Sequence, residues 1–227
     1  MATVSAALVL ETQPVVAPAV VEAEARVLLH GISWNTYEQI SGALIDYAGA
    51  RLTYHDGRLE IMTTSYPHEM YASILGDLLK ILASEMEIDC ISARTTTFKL
   101  SPKELGFEGD DTFYFSYLDE LRQPGKKIDL SCDPAPDLVI EVDISNPSLN
   151  KLPIFIGMNI KEFWRWYDNE LTIYQLIDGS YEICSTSHFL PNATVAEINE
   201  LVYEQQTVTS FEWNKMVRAY ARQCMSR

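Results

Sequence analysis

The apolar residues of this chain recur with two different periods, and the two periods predict different elements. Residues 71–82 are apolar at intervals of about 3.6 positions, which predicts an amphipathic helix that begins just after Pro67. A similar spacing over residues 34–47 predicts a helix with Ser33 as its N-cap. Elsewhere apolar and polar residues alternate, which is typical of half-buried strands.

The alternating runs predict a series of strands, with helices around them. Asp56-Gly57 and Asp178-Gly179 each lie between two such runs and favour tight hairpin turns. Strands are predicted at residues 91–100, 112–117, 138–144, 162–168, 171–179 and 180–187, of which the last three are antiparallel. Two helices, at residues 194–203 and 207–223, are predicted to end the chain, with Val208, Phe211, Met216 and Tyr220 in the core.

The strand predicted at residues 138–144 brings acidic side chains to one face. Because side chains alternate along a strand, its apolar residues face one way, whereas Asp137, Glu141 and Asp143 face the other. Like charges a few Å apart resist joint ionisation, and a divalent cation such as Mg²⁺ would relieve that repulsion. The pattern therefore favours a hydrolytic metal site. The alternative is that Asp137 ends a turn and Asp143 borders a solvated loop.

The two segments that follow this strand contain a lysine and a group of aromatic residues. Lys151 lies at the opening of a predicted helix, which tolerates Pro153 because the proline is still in its first turn. Trp164, Trp166 and Tyr167, on the next predicted strand, are interpreted as core residues rather than as platforms for nucleic-acid bases.

Composition and charge restrict the class of protein. A chain of 227 residues that is 47% hydrophobic suits a single large domain, predicted here at residues 27–227. The net charge of −15 argues against an extended basic surface, so any contact with nucleic acid would be weak or local. Four isolated cysteines, none at zinc-site spacing, are typical of reduced thiols in a cytoplasmic protein.

The first 26 residues are predicted to be a flexible leader. They lack a basic start, and Glu11, Pro14 and Pro18 interrupt their apolar stretches. This pattern fits neither a secretory signal nor a membrane helix, so no association with a membrane is expected.

Several motifs of the chain resemble the Uma-two family of restriction endonucleases, which is common in cyanobacteria and belongs to the PD-(D/E)XK nuclease superfamily. The similar segments are Glu108-Gly109-Asp110, PDLVIEVD, SLNK and KEFWRWYD, which occur in that order within residues 33–168. The resemblance implies an α+β fold: a restriction-endonuclease-like mixed β-sheet core flanked by helices, with added antiparallel strands. It also implies a homodimer and Mg²⁺-dependent hydrolysis of DNA phosphodiester bonds.

The resemblance assigns roles to particular residues. Asp110 matches the first acidic ligand, Glu141 the second, and Lys151 the lysine that this family places on the following helix. Asp110 and Glu141, with the carbonyl of Val142, are expected to hold Mg²⁺, for which Mn²⁺ could substitute. Lys151 is expected to orient the attacking water or to offset charge in the transition state.

Four residues are assigned supporting roles. Asp137 matches the aspartate of the family's PDLV strand, whereas Glu60 and His68 match a recurring acidic residue and histidine, expected to reach the metal through water. Its position alone favours a different interpretation of His68, as a structural residue of a helix start whose ring is satisfied. Asp143 occupies the position where the superfamily has its lysine.

The sequence departs from the family pattern at two positions, which keeps other functions open. Gly109 stands where the family usually has proline, and Asp143 where the superfamily has lysine. The alternative to a nuclease is a catalytically silent module of the same fold that serves binding or assembly. A weaker alternative is an acidic enzyme that acts on a phosphate outside nucleic acids.

Overall fold

The computed structural model describes residues 24–44, 49–144 and 149–227. Within these ranges the chain forms eleven strands and six α-helices. The strands are β1 Ala25–His30, β2 Ala50–His55, β3 Arg58–Thr63, β4 Ile91–Ser92, β5 Thr97–Leu100, β6 Leu105–Glu108, β7 Asp111–Tyr114, β8 Leu138–Asp143, β9 Glu162–Tyr167, β10 Glu170–Ile177 and β11 Ser180–Cys184. The helices are α1 Trp34–Ala43, α2 Tyr66–Glu85, α3 Leu118–Leu121, α4 Leu152–Met158, α5 Val195–Glu204 and α6 Ser210–Met225.

The strands form two sheets. The first is antiparallel, with the order β1-β3-β2-β6-β5. The second has the order β11-β10-β9-β8-β7-β4, and in it β8 and β9 are parallel whereas the other pairs are antiparallel. A parallel pair needs a crossover, and α4 provides it between β8 and β9. This crossover carries Lys151, the residue just before α4, back to the strand that holds Glu141.

The central strand β8 is buried on both faces. Leu138, Ile140 and Val142 lie in one core cluster together with α2, α5 and α6. Val139 lies in a second cluster with α4 and the first sheet. Since side chains alternate along a strand, Glu141 and Asp143 share the face of Val139. The two carboxylates therefore lie inside the protein, where their charges need partners.

Most of the predicted elements are present, and the α+β class with a mixed sheet is confirmed. Both hairpins, the helix after Pro67 and the three consecutive antiparallel strands occur as expected. The strand predicted at residues 91–100 is divided, because its ends pair in different sheets as β4 and β5. The first helix ends at Ala43, and residues 45–47 of the predicted helix lie outside the described ranges.

Near the ends of the chain the structure differs from the prediction in two details. The leader is predicted to reach residue 26, whereas β1 begins at Ala25 and pairs with β3 along its whole length. Such pairing between distant segments leaves no local signal. Phe211, predicted to be in the core, is 69% exposed and lies under the ammonium of Lys215. The division into one leader and one domain stays a prediction, because residues 1–23 lie outside the described ranges.

Candidate active site

Asp110 enters the site from the residue before β7. Its backbone N–H donates to the carbonyl of Ile140 at 3.1 Å, and its Oδ2 accepts from the N–H of Val142 at 2.8 Å. Both bonds join Asp110 to β8, which fixes its carboxylate beside Glu141 although 31 residues separate the two in the sequence. The side chain is buried, so the position of the carboxylate is set by the sheet rather than by solvent.

Glu141 and Lys151 form a buried ion pair. The Nζ of Lys151 donates to Oε2 of Glu141, and each side chain is about 5% exposed. The other oxygen of Glu141, Oε1, is buried and has no hydrogen-bond partner among the described residues. A buried carboxylate oxygen without a partner is costly, and such groups occur where a ligand or ion normally binds.

His68 lies in the first turn of α2, close to Asp110. Its ring is fully buried, and Nε2 is 3.2 Å from Oδ2 of Asp110, although the two are not aligned as a good hydrogen bond. Oε1 of Glu24 is 3.9 Å from the same nitrogen. The structure thus brings His68 to the predicted site, where its closest acidic neighbour is a proposed metal ligand.

The two carboxylates differ in their acidity. Burial raises the pKa of Glu141 to about 8, with Asp110 and Asp143 adding to the effect and Lys151 opposing it. Burial would also raise the pKa of Asp110, but His68 and Lys151 outweigh it, so the pKa of Asp110 lies below its usual value. Glu141 is therefore the carboxylate whose ionisation most needs another positive charge.

A second charged cluster adjoins the first and is centred on Arg26 of the edge strand β1. Its Nη2 donates to Oε2 of Glu24 and to Oδ1 of Asp143, both at 2.9 Å, and its Nη1 donates to Oε1 of Glu60 at 3.3 Å. Asp143 also accepts from Nε of Arg165 at 3.0 Å. Two arginines therefore contact Asp143, which stands where the superfamily has a lysine.

Both carboxylate oxygens of Glu60 are engaged by other residues, and its predicted contact with the metal stays a prediction. One oxygen pairs with Arg26, and the other accepts the backbone N–H of Leu149 at 2.8 Å. Leu149 lies two residues before Lys151, so this bond helps to fix the approach of the chain to α4. The contacts of Glu60 are those of a residue that positions the chain at Leu149.

Replacing Arg26 by methionine is expected to destabilise the protein by about 3 kcal/mol, because three buried carboxylates would lose their shared cation. The matched control is Arg58→Met on the neighbouring strand β3, where the arginine pairs with the 77% exposed side chain of Asp56 and should contribute at most about 1 kcal/mol. Denaturant unfolding of both variants measures the difference. Equal losses would show that Arg26 does not hold the cluster together.

Two predicted roles are not met by the structure. Asp137 was grouped with Glu141 and Asp143, but its Oδ2 accepts from the N–H groups of Phe115 and Ser116 and from the hydroxyl of Ser116, at 2.7 to 2.9 Å. It lies at the far end of β8 and holds the chain after β7. Tyr167 was interpreted as a core residue, but it is 40% exposed and lies beneath the guanidinium of Arg165. Trp164 and Trp166 are fully buried, as predicted.

Glu24, Arg26 and Arg165 are site residues that the sequence did not predict. Glu24 and Arg26 reach the site through the pairing of β1 with β3, for which the sequence holds no local signal. Arg165 did carry a signal, because it alternates with two buried tryptophans and must therefore face the other side of its strand. In the parallel register it is the direct partner of Glu141.

Gly109 also has a structural explanation. A Cβ atom at this position would lie 2.9 Å from Cγ2 of Thr112 and 3.1 Å from Cγ1 of Val139. Both neighbours are β-branched side chains with little freedom to move. Glycine thus allows the chain to pass close to β8 just before Asp110.

A mixed sheet whose central strand carries two buried acidic residues, with a lysine delivered by the next helix, defines a protein with a restriction-endonuclease-like fold. The sequence model of the Uma2 family, described as "Putative restriction endonuclease", matches residues 34–209. The chain belongs to this family, which is a family of nucleases at the level of its description. No curated protein matches the sequence. In the described part of the chain, no helix is both long enough and apolar enough to span a bilayer.

Proposed function

We propose that this protein is a metal-dependent endonuclease that hydrolyses DNA phosphodiester bonds at Asp110, Glu141 and Lys151. The observation that carries the proposal is the buried contact of Lys151 with Glu141 beside Asp110. These residues come from three separate segments, and no hydrophobic requirement of the fold would bring them together. Their convergence in a protein of this family supports catalysis.

The residues fit a hard divalent cation such as Mg²⁺. Such ions are bound by one or two carboxylates, with water and substrate phosphate as the other ligands. Asp110, Glu141 and the carbonyl of Val142 would hold the ion, and the unpartnered Oε1 of Glu141 is the oxygen that most needs it. Bound there, the cation would polarise the scissile phosphate and make a bound water more acidic.

Lys151 and His68 would take the other roles at the proposed site. The ammonium of Lys151, 6% exposed, would donate to a phosphate oxygen or hold the attacking water in position. Burial alone would lower the pKa of Lys151, but Glu141 and Asp110 outweigh it, so the amine stays protonated. His68 would hold Asp110 in place, since its buried ring has Nε2 at 3.2 Å from Oδ2 of Asp110.

Calorimetric titration with Mn²⁺ tests the metal site directly. We expect wild-type protein to bind Mn²⁺ and the Glu141→Ala variant to lose that binding, whereas Glu69→Ala, which removes a half-exposed carboxylate of α2, should bind as wild type does. The same preparations are tested for plasmid cleavage under two conditions. One contains Mg²⁺, and the other contains EDTA and no Mg²⁺. Wild-type protein that binds no Mn²⁺ and cuts no DNA would contradict the proposal.

A catalytically silent module is the second candidate. The observation in its favour is that the described residues contain no group of three His, Cys, Asp or Glu side chains placed to hold a metal ion together. In addition, Arg26 and Arg165 already neutralise Asp143. The Mn²⁺ titration separates the two candidates. A nuclease should bind Mn²⁺ at a site that the Glu141→Ala variant lacks, whereas a silent module need not have such a site.

The proposed substrate makes a local contact with the protein. The net charge of −15 opposes broad attraction to DNA, so association should depend on the few cations at the site and weaken only modestly with salt. The homodimer implied by the family resemblance stays a prediction.

A further inference from the structure

A cavity of about 210 Å³ lies directly beside Glu141 and Lys151. Its floor is one face of three adjacent strands, with Glu141 and Asp143 from β8, Arg165 from β9 and Tyr174 from β10. Residues 149–152, which lead into α4, form one wall. A volume of this size suits a small ligand rather than a drug-sized one.

The floor of this cavity is charged at one end and aromatic at the other. Phe163 and Tyr174 are direct cross-strand partners, and their rings stack at 5.3 Å between centroids. Arg165 lies two residues further along β9 than Phe163, about 6.6 Å at the usual rise of a strand. A ligand that spans the cavity would therefore meet a cation at one end and a flat apolar surface at the other.

Arg165 is arranged so that part of its guanidinium is available. Its Nε donates to Asp143, which fixes the orientation of the planar group, and its side chain is 28% exposed. The ring of Tyr167 lies 4.9 Å from the guanidinium carbon and supports it from the side. An arginine oriented in this way presents its remaining donors as a fork, which matches the geometry of a phosphate.

Asn150 adds a polar group at the rim. Its Oδ1 accepts the N–H of Leu152 at 3.1 Å, so the amide NH₂ is the group left to donate to a ligand. The cavity thus offers a phosphate-binding fork, an amide donor and an aromatic surface, all within reach of Lys151.

We propose that this cavity binds one unpaired nucleotide of the DNA, with its phosphate on Arg165 and its base against Tyr174, next to the phosphate that is cut. The inference rests on the proposed nuclease function and adds a substrate class to it: DNA with unpaired bases. A base inside a duplex is stacked and paired, and it can enter so small a cavity only after leaving the helix, at a cost of a few kcal/mol. Single strands avoid that cost, and their bases stack on aromatic side chains without regard to sequence.

Mononucleotide binding tests the cavity separately from cleavage. Titration calorimetry with thymidine monophosphate, thymidine and inorganic phosphate, all in Mg²⁺, should show that the monophosphate binds more tightly than either of its halves. Arg165→Gln and Tyr174→Leu should each weaken its binding by about ten-fold or more, and Arg165→Lys should recover only part of the loss. Arg122→Gln and Tyr117→Leu are the controls, because both side chains are largely exposed and lie away from the cavity.

Cleavage assays then show whether the cavity selects the substrate. We expect a single-stranded oligonucleotide to be cut at least ten-fold faster than the same sequence in a duplex, and Tyr174→Leu to reduce that ratio. Equal rates on both substrates, or Arg165 and Arg122 variants that bind alike, would overturn the inference while leaving the nuclease intact. Monophosphate binding that depends on Arg165, with no cleavage of any DNA, would refute the nuclease and keep the nucleotide site.

Discussion

Replacing Glu141 by glutamine is expected to abolish Mg²⁺-dependent DNA cleavage, lowering the rate by about 10³-fold or more. Glutamine keeps the size of the side chain but removes the negative charge that would bind the cation and pair with Lys151. The change should spare the fold, because the amide oxygen of glutamine can still accept a hydrogen bond from Lys151. Initial rates of nicking of supercoiled plasmid, with melting curves alongside, measure both properties.

Glu69→Gln is the control for this variant. Glu69 also lies near His68 in the first turn of α2, but its side chain is 51% exposed and it is no part of the proposed metal site. It should therefore cut DNA at the wild-type rate. If Glu141→Gln were as active as Glu69→Gln, Glu141 would have no role in catalysis.

The sequence predicted the acidic strand better than it predicted the site around that strand. Alternation along residues 138–144 is a local property, and it correctly placed Glu141 and Asp143 on the same face as each other. Asp110 could be assigned only through the family resemblance, because its place depends on the pairing of Asp111 with Ile140. Pairing of distant strands depends on the whole core, which no short window of sequence contains.

Asp143 is a second residue whose surroundings could not be predicted from the sequence. In sequence it was an acidic residue where a lysine was expected, which weakened the case for a site. In the structure it is held by Arg26, from a strand more than a hundred residues earlier, and by Arg165 from the neighbouring strand. Two arginines that reach Asp143 through the fold therefore lie next to the position where the superfamily has its lysine.

The contacts of Asp143 would also allow an acidic protein to present cations to the proposed DNA substrate. Arg165 is fixed by Asp143, and Lys151 by Glu141, so each cation near the cavity is oriented by a carboxylate beneath it. Charges held in this way lose little conformational entropy when a phosphate binds. The overall charge of −15 then limits binding away from the site rather than binding at the site.

Replacing Lys151 by methionine is expected to lower the cleavage rate at neutral pH by about 10²- to 10³-fold and to shift its pH dependence. Burial, Asp110 and Asp143 raise the pKa of Glu141, and Lys151 lowers it. With all of these effects together the pKa is about 8. Without the lysine the pKa of Glu141 rises further, so a smaller fraction of Glu141 is ionised at neutral pH. Since the ionised form would bind the cation, activity should recover as the pH increases, and its rising limb should move to higher pH than in wild type.

The control for Lys151→Met is Lys103→Met, which removes an exposed lysine whose Nζ donates to the carbonyl of Gly157 at the other end of α4. It should leave the pH–rate profile unchanged. The measurement is the cleavage rate of both variants and of wild type from roughly pH 6 to 10, which shows whether the rising limb has moved. A Lys151 variant that is slower by the same factor at every pH would place the lysine in the chemistry alone, without coupling to Glu141. A variant with the wild-type rate and profile would remove Lys151 from the site altogether, because a buried ammonium in contact with a required carboxylate cannot be lost without changing the ionisation of that carboxylate.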